Sequence, residues 1–360
     1  MTTPPKADRW VVLTLVLQTD RVGIAGSSCW TSHIDFDILV SLYAGQVAKR
    51  SAASSLCSLP SGRLRCCRPS GLKARNVAMS EESTTDTLVR LVDHARLELL
   101  PTPSVEDQVL AHLPRSRTVT VTASPSKGLR ATLDLTERLA GHGYPVVPHL
   151  AARMISGRSE LQEIVDRLAA LGVAAIFVPA GDADPVGEYH DGLGLLEDLA
   201  AIGNPFRQVG ITGYPESHPT IHDDVLVQSM WDKRHYASHI VSNLTFSSTV
   251  VDRWIRRLRA RGVLLPVLLG VPGPVHRAKL LAMATKIGVG DSTRFLVKNK
   301  GLLSRLAAPG GFTGERFLYK CAPGLRWPEA RVEGLHVYSF NQIAETEAWL
   351  CDLRRRLAGQ

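Results

Sequence analysis

The chain has 360 residues, 44% hydrophobic and 21% charged, an ordinary makeup for a globular protein built as one large α/β domain with an extra segment or as two modest domains. Its net charge of +8 is uneven: residues 1–78 hold ten Lys/Arg against four Asp/Glu, and the rest is nearly neutral, which argues against a nucleic-acid partner. Four of the six cysteines (Cys29, Cys57, Cys66, Cys67) share that stretch; no disulfide framework or paired zinc pattern is present, and sparse cysteine beyond it fits the cytoplasm.

Residues 1–78 show no sustained period of 3.6 or 2.0 and end in the Ser/Arg/Cys-rich run Ser51–Arg75. The apolar run Trp10–Gln18 is too short to span a bilayer, and Ala25-Gly26-Ser27-Ser28-Cys29 is a poor lipoprotein box, so neither export nor a membrane partner is expected. At Met79 the character changes to an acidic polar start, Met79-Ser80-Glu81-Glu82-Ser83, followed by periodic apolar structure. The simplest reading makes Met79 the biological start and residues 1–78 a non-native or disordered extension, a point that N-terminal sequencing of the native protein settles.

From Ala95 onward β-rich runs alternate with amphipathic ones. Ala95–Leu100 is the first predicted strand and carries a lone carboxylate, Glu98, between Leu97 and Leu99, just before Pro101-Thr102-Pro103. A carboxyl at such a strand end is poorly solvated, which favours the protonated form that a general acid needs. Further strands are predicted at Thr118–Ala123, Pro145–Leu150, Ala174–Pro179 and Gln208–Gly213, then at His239–Leu244, Leu264–Gly270 and Gly334–Phe340. Helical patterns fill the gaps: Arg130–Gly141, Glu160–Leu171, Gly192–Ile202, Asp224–Tyr236, Val250–Arg261 and Val275–Ile287. Several stop at a glycine suited to the C′ position, among them Gly143, Gly172, Gly203 and Gly262. Runs such as Val119-Thr120-Val121-Thr122 are apolar or β-branched on both faces, as buried parallel strands are. Eight strands with intervening helices predict a (β/α)8 TIM barrel over 79–360, with an insertion at 295–331. An open doubly wound sheet is the alternative, but no G-x-G-x-x-G follows any strand.

Chemistry in such a barrel gathers at the C-terminal ends of the strands. That rule selects Glu98, Thr122 with Ser124, His149, Asp182, Tyr214 to His218, Asn243, Pro272 to Pro274 and Asn341. A mouth with one embedded acid and few other charges suits proton transfer to a heteroatom of a planar, hydrogen-bonding substrate. His218 and His222 are four apart beside carboxylates, but the glutamate of an H-E-x-x-H motif is missing, so no metal is expected. Trp231 and Trp349 read as core or helix-packing residues, and the arginine runs near 253–259 and 354–356 as solvated helix faces.

Taken together, these strand ends resemble the methylenetetrahydrofolate reductase family over about residues 95–290 and 334–341. Arg96-Leu97-Glu98-Leu99-Leu100-Pro101 looks like its first strand, whose Glu is the catalytic acid. Thr120-Val121-Thr122, Pro148-His149-Leu150 and Gly181-Asp182 match shorter motifs in order. Tyr214-Pro215-Glu216-Ser217-His218-Pro219 matches Y-P-E-x-H-P in full, Ser242-Asn243 sits where the family has T-Q, and His336–Asn341 resembles its closing strand. The resemblance implies reduction of 5,10-methylenetetrahydrofolate to 5-methyltetrahydrofolate by NADH or NADPH. Glu98 would be the acid, Asp182 and Asn243 would hold the pterin edge, and Thr122, His149, Tyr214 and His218 would line the cofactor region.

The family usually carries hydride on FAD, and here the flavin clamp is broken. The arginine of its R-G-D is Ala180, and its paired lysines are out of register, with Lys233 or Arg234 able to substitute only if the helix shifts. The glutamine is shortened to Asn243, and the loop after Gly270 is two residues short and lacks a stacking aromatic. FAD stays open on these grounds, with direct hydride transfer from the nicotinamide slightly favoured. Two rival functions remain: a non-catalytic folate-binding relative, and another one-carbon or pterin barrel enzyme such as a methyltransferase, which would not need the acid.

Overall fold

The computed structural model describes residues 82–218, 221–274 and 313–359. The expectations for residues 1–78, for a start at Met79 and for a helix over 275–287 lie outside them. Eight parallel strands form the fold: β1 (Arg96–Leu99), β2 (Val119–Val121), β3 (Val146–Pro148), β4 (Ala175–Val178), β5 (Gln208–Gly213), β6 (His239–Ser242), β7 (Val267–Pro272) and β8 (Val332–Tyr338). Pairing runs continuously from β3 through β2, β1, β8, β7, β6 and β5 to β4. A single bridge from His149 to Phe177 ties β4 back towards β3, so the sheet curls into the expected (β/α)8 barrel.

Nine described helices surround it: α1 (Thr84–Asp93), α2 (Val105–His112), α3 (Gly128–Gly141), α4 (Arg158–Ala170), α5 (Gly192–Ala201), α6 (Asp223–Lys233), α7 (Ser248–Ala260), α8 (Gly314–Leu325) and α9 (Ile343–Leu357). Among the described residues no helix is long and apolar enough to cross a membrane. The chain enters α1 through a capping box in which Ser83 accepts from Asp86 N–H and Asp86 accepts from Ser83 N–H. The predicted C′ glycines all take positive φ, from +70° at Gly172 to +86° at Gly203, the conformation that lets each helix end and turn back to the next strand.

Strand alternation sorts the core into two layers. Leu97, Val119, Ile176, Ile211, Ile240, Leu269 and Val337 face outward and are buried beneath the helices. Each such side chain contributes roughly 1.5–3 kcal/mol of burial. The register places the other set in the barrel lumen: Glu98 beside Thr120, Thr120 beside Val147, His149 beside Phe177, Phe177 beside Gly210, and Gly210 beside His239. Gly270 aligns with His336, and Glu98 with Tyr338, which brings the row round to β1. Val147, Phe177, Val241 and Leu268 form an apolar plug across this lumen.

Several boundaries differ from expectation. β7 ends at Pro272 and not at Gly270, and β8 spans Val332–Tyr338 because Phe340 and Asn341 take left-handed φ values of 50° and 56° and turn the chain out of the sheet. The described part of the expected insertion supplies α8, which buries Phe317, Leu318, Cys321 and Leu325 and packs on α1 and α7 as the crossover to β8. Trp231 is no core residue: it is 38% exposed and lies under the Arg234 guanidinium, 3.3 Å from its ring centroid. Trp349 does pack against the core, as expected.

Candidate functional site

Glu98 stands on the inner face of β1, with its side chain 14% exposed. Leu97 and Leu99 on either side point into the outer layer and are fully buried, so alternation alone turns the carboxyl into the lumen. Across the β1–β8 ladder His336 lies with its Nε2 3.0 Å from Glu98 Oε2. Its side chain is 2% exposed, and among the described residues the only polar group its Nε2 meets is that carboxyl. One proton serves this contact. Either the imidazole N–H donates to a carboxylate, or a carboxylic acid donates to the imidazole nitrogen. Ser339 Oγ donates to the Glu98 carbonyl and fixes the strand end behind it.

The groups around the pair towards the mouth are polar and neutral, while the Arg96 guanidinium lies below it on the same face of β1. His149 is 6% exposed at the end of β3, with its ring edge-on to Phe177 at 4.7 Å between centroids and 6.2 Å from the His336 ring. Burial, and then the neighbouring His336, hold its pKa well below the usual imidazole value, so it is neutral. Tyr338 packs edge-on against His336 at 4.8 Å and donates to Ser242 O at 3.3 Å. Its phenol is pushed well above the usual value by burial and then by the Glu98 charge. Burial also raises Tyr214, so both tyrosines remain O–H groups.

Four polar atoms here are buried without a hydrogen-bond partner: Thr120 Oγ1, Thr122 Oγ1, His149 Nε2 and His336 Nδ1. Buried polar groups are ordinarily satisfied, so these four are the lumen atoms open to a bound water, ion or ligand. Glu98, His149 and His336 also bring donor atoms within 4.8 Å of one another, a set with the chemistry to hold a divalent cation as well as to share a proton.

Other residues singled out in the sequence fall around this centre in differing ways. Thr122 is buried at the β2 end, and its carbonyl accepts from Thr132 Oγ1 at 2.8 Å. Tyr214 packs edge-on with His218, ring centroids 5.1 Å apart, on the loop after β5. Glu216 in the same loop is a brace: its Oε1 accepts from Thr245 Oγ1 at 2.9 Å and Phe246 N–H at 3.0 Å, locking the β5 and β6 loops together. Asp182 is exposed at the rim after Gly181, within electrostatic reach of Tyr214. Asn243 is exposed, and its amide oxygen accepts from the adjacent Leu244 N–H at 2.7 Å, leaving the NH2 end for other partners. Asn341 does not face the mouth. Its amide bonds Leu100 N–H and C=O and Thr102 Oγ1, stapling the β8 and β1 loops.

His222 caps α6, its ring nitrogen accepting from Asp224 N–H, and joins no metal cluster among the described residues. Of the two out-of-register cations, Arg234 is taken up by Trp231, while Lys233 is buried at 9% exposure. His336 and Tyr338 were missed as site residues. The available signal was the alternation His336-Val337-Tyr338, two polar rings on one face of a strand with a fully buried valine between them.

No family model matches the chain. A putative lyase/mutase from Burkholderia cenocepacia is similar in structure at 14% identity, covering 76% of this chain and 91% of that one, with a TM-score of 0.43. Dihydropteroate synthase from Thermus thermophilus, solved in complex with 6HMPPP, is similar at 15% identity, covering 73% and 94%, with a TM-score of 0.35. Likenesses this distant carry no argument about activity, which rests on the residues of the lumen.

Proposed function

We propose that this chain is an oxidoreductase that reduces 5,10-methylenetetrahydrofolate to 5-methyltetrahydrofolate with NADH or NADPH, by direct hydride transfer without flavin. The observation that carries the reading is the Glu98–His336 pair: a carboxyl in the lumen, hydrogen-bonded at 3.0 Å to a buried imidazole, with neutral, partly orphaned polar groups beside it. Glu98 donates its proton to N10 of the folate imidazolidine ring, the bond from the bridging carbon to N10 breaks, and a 5-iminium cation forms. Hydride adds to that carbon, giving the 5-methyl product and oxidised nicotinamide. His336 keeps the carboxyl oriented and is the group through which it is reprotonated. Asp182 is the residue for the pterin edge, since a carboxylate matches the adjacent N–H donors of an aminopyrimidinone. Asn243 assists from the next rim position, and Thr122, His149, Tyr214 and His218 line the space beside the pterin.

The test is to mix purified protein with methylenetetrahydrofolate and NADH or NADPH and to follow loss of the reduced nicotinamide. Turnover in a colourless preparation, with kinetics showing both substrates bound together, is the expected result. A yellow preparation with near-stoichiometric FAD, reducible by NADH alone and giving ping-pong kinetics, refutes the flavin-free step but keeps Glu98 as the acid. Absence of turnover with either nicotinamide, with and without added FAD, refutes the reductase reading and leaves a folate-binding protein.

A further inference from the structure

Glu98, His149 and His336 are the one cluster of three metal-ligating side chains among the described residues, with a donor atom from each within 4.8 Å of the others. They come from distant parts of the chain: β1, the residue after β3, and β8. Barrel closure gathers them. β1 and β8 are neighbours in the sheet, and His149 forms the bridge to Phe177 at the seam between β3 and β4. The two imidazole rings lie 6.2 Å apart between centroids, tilted by 34°, and His336 Nε2 stands 3.0 Å from Glu98 Oε2.

A proton shared between Glu98 and His336 engages only one nitrogen of the two rings. His149 Nε2 and His336 Nδ1 are both buried without a hydrogen-bond partner, in residues 6% and 1% exposed. Their neighbours do not supply one: Phe177 meets His149 edge-on at 4.7 Å and has no polar atom. The Arg96 guanidinium, lower in the lumen, is turned to Gln208 Oε1 at 2.7 Å and His239 Nε2 at 3.4 Å. Bare imidazole nitrogens in so buried a place cost free energy. A water repairs this in part, but it has two hydrogens to give where three lone-pair groups converge. A cation takes all three.

The spacing is close to what one ion needs. Ligand atoms held at about 2.0–2.2 Å from a metal lie about 3–3.5 Å from one another. The Glu98–His336 contact already has that separation, and a gap of 4.8 Å closes by about 1.5 Å of side-chain rotation. The Glu98 side chain is 14% exposed, so its carboxyl has room to turn and solvent can supply a further ligand. The Thr120 and Thr122 hydroxyls, buried and unpartnered, are available to such a metal-bound water. Two imidazoles with one carboxylate suit zinc and its first-row neighbours, whereas magnesium and calcium favour all-oxygen sites.

We propose that Glu98, His149 and His336 form a binding site for one divalent transition-metal ion of the zinc class. The site goes beyond the reductase reading and does not rest on it. Cation and acidic proton exclude each other, since the ion takes the carboxyl and the imidazole that share the proton. The zinc-loaded protein is therefore a form in which Glu98 cannot act as an acid. The sequence led to an expectation of no metal because these ligands lie on three separate strands and leave no spacing motif.

The experiment titrates the chelator-treated full chain with Zn2+ by calorimetry, in the absence of folate and nicotinamide, and with Co2+, whose visible absorption reports its ligands. Wild type should take up one Zn2+ saturably. A hydrogen-bond partner behind a ligand is worth about 10–100-fold in metal affinity, so loss of a direct ligand in Glu98→Gln or His149→Gln should weaken Zn2+ by about a hundredfold or more. His222→Gln, at an exposed helix cap, should bind as wild type does. His149→Gln alters a buried position, so its fold is checked by circular dichroism; Glu98→Gln carries the test if that variant does not fold. No saturable uptake by wild type, or uptake unchanged in Glu98→Gln or in folded His149→Gln, overturns the site. Where wild type reduces the folate, turnover should fall in step with Zn2+ occupancy. Full turnover at full occupancy overturns Glu98 as the acid and leaves the cation site. Zn2+ binding that depends on these residues, in a wild-type protein that reduces no folate, overturns the reductase reading alone.

Discussion

His239 offers a measurement of how dry the lower lumen is. It points inward from the start of β6, 6% exposed, with Nδ1 2.8 Å from Ser238 Oγ and Nε2 3.4 Å from Arg96 Nη1. A Cβ on Gly210 would come within 2.9 Å of that Nε2, so no water has room beside it on that side. Burial first, then the Arg96 and His336 charges, lower its pKa from 6.5 to about 3. Below about pH 6.5 the unfolded chain therefore binds a proton that the folded barrel refuses, and folding stability falls as the pH falls towards about 3. Each pH unit inside that window costs about 1.4 kcal/mol, so this residue alone should remove about 2 kcal/mol between about pH 7.5 and about pH 5. His239→Gln keeps an acceptor for Arg96 and a partner for Ser238 but has nothing to titrate. Urea unfolding of both proteins at the two pH values isolates the contribution, because every other group is common to them. The variant should lose about 2 kcal/mol less than wild type on acidification. Equal losses in the two proteins would show that His239 is protonated in the folded state, and the account of a dry lower lumen would fall.

Glu98→Gln keeps shape and removes the acidic proton, so folate should still bind while kcat falls by about two orders of magnitude or more; near wild-type turnover refutes the acid assignment. Asp182→Asn keeps one acceptor at the rim, so it should raise the folate KM and slow reduction less than loss of Glu98, and an unchanged KM would count against its role at the pterin. Glu347 on α9 is 8% exposed and takes a two-pronged bond from Arg117 at 2.9 Å for each prong. Glu347→Ala strands a guanidinium that is only 14% exposed and should cost about 3 kcal/mol in denaturant unfolding, whereas a loss under about 1 kcal/mol would mean that water reaches Arg117.

The barrel was readable because its signals are local. Runs of branched residues, helix periods and the glycines that close each helix sit within a dozen residues of one another and need no knowledge of the partner strand. Glu98 was readable for the same reason, as a lone charge in an apolar strand. Its partner was not: His336 lies 238 residues away and meets it only through the β1–β8 ladder. In sequence that histidine reads equally well as a core residue between Leu335 and Val337. Asn341 misled in the opposite direction, since a polar residue at a strand end looks like part of a mouth. Its left-handed φ turns the amide onto Leu100 and Thr102. The helix read over 224–236 ends at Lys233 in the structure, because helix ends are set by tertiary packing more than by propensity.

The charge states of the lumen bear on the order of chemical events in the proposed reduction. His149 and His239 are held neutral by burial, and Tyr338 and Tyr214 keep their protons. That leaves Glu98, with His336 bonded to it, as the group suited to hand a proton to a ligand there. On the reductase reading, giving up that proton does two things at once. It opens the folate ring, and it leaves a carboxylate facing the iminium cation that the opening creates. In water such a pair gains little, but in a lumen lined by Phe177, Val241 and Leu268 the attraction is several-fold stronger. For an N–H of His336 to face Oε2 throughout, the imidazole must carry its proton on Nε2 while the acid's proton sits on Oε1; that N–H···O bond then strengthens as the carboxyl becomes charged in the transition state. A glutamine at 98 forfeits both effects, whereas asparagine at 182 touches neither. The two substitutions should therefore separate cleanly, the first in kcat and the second in KM.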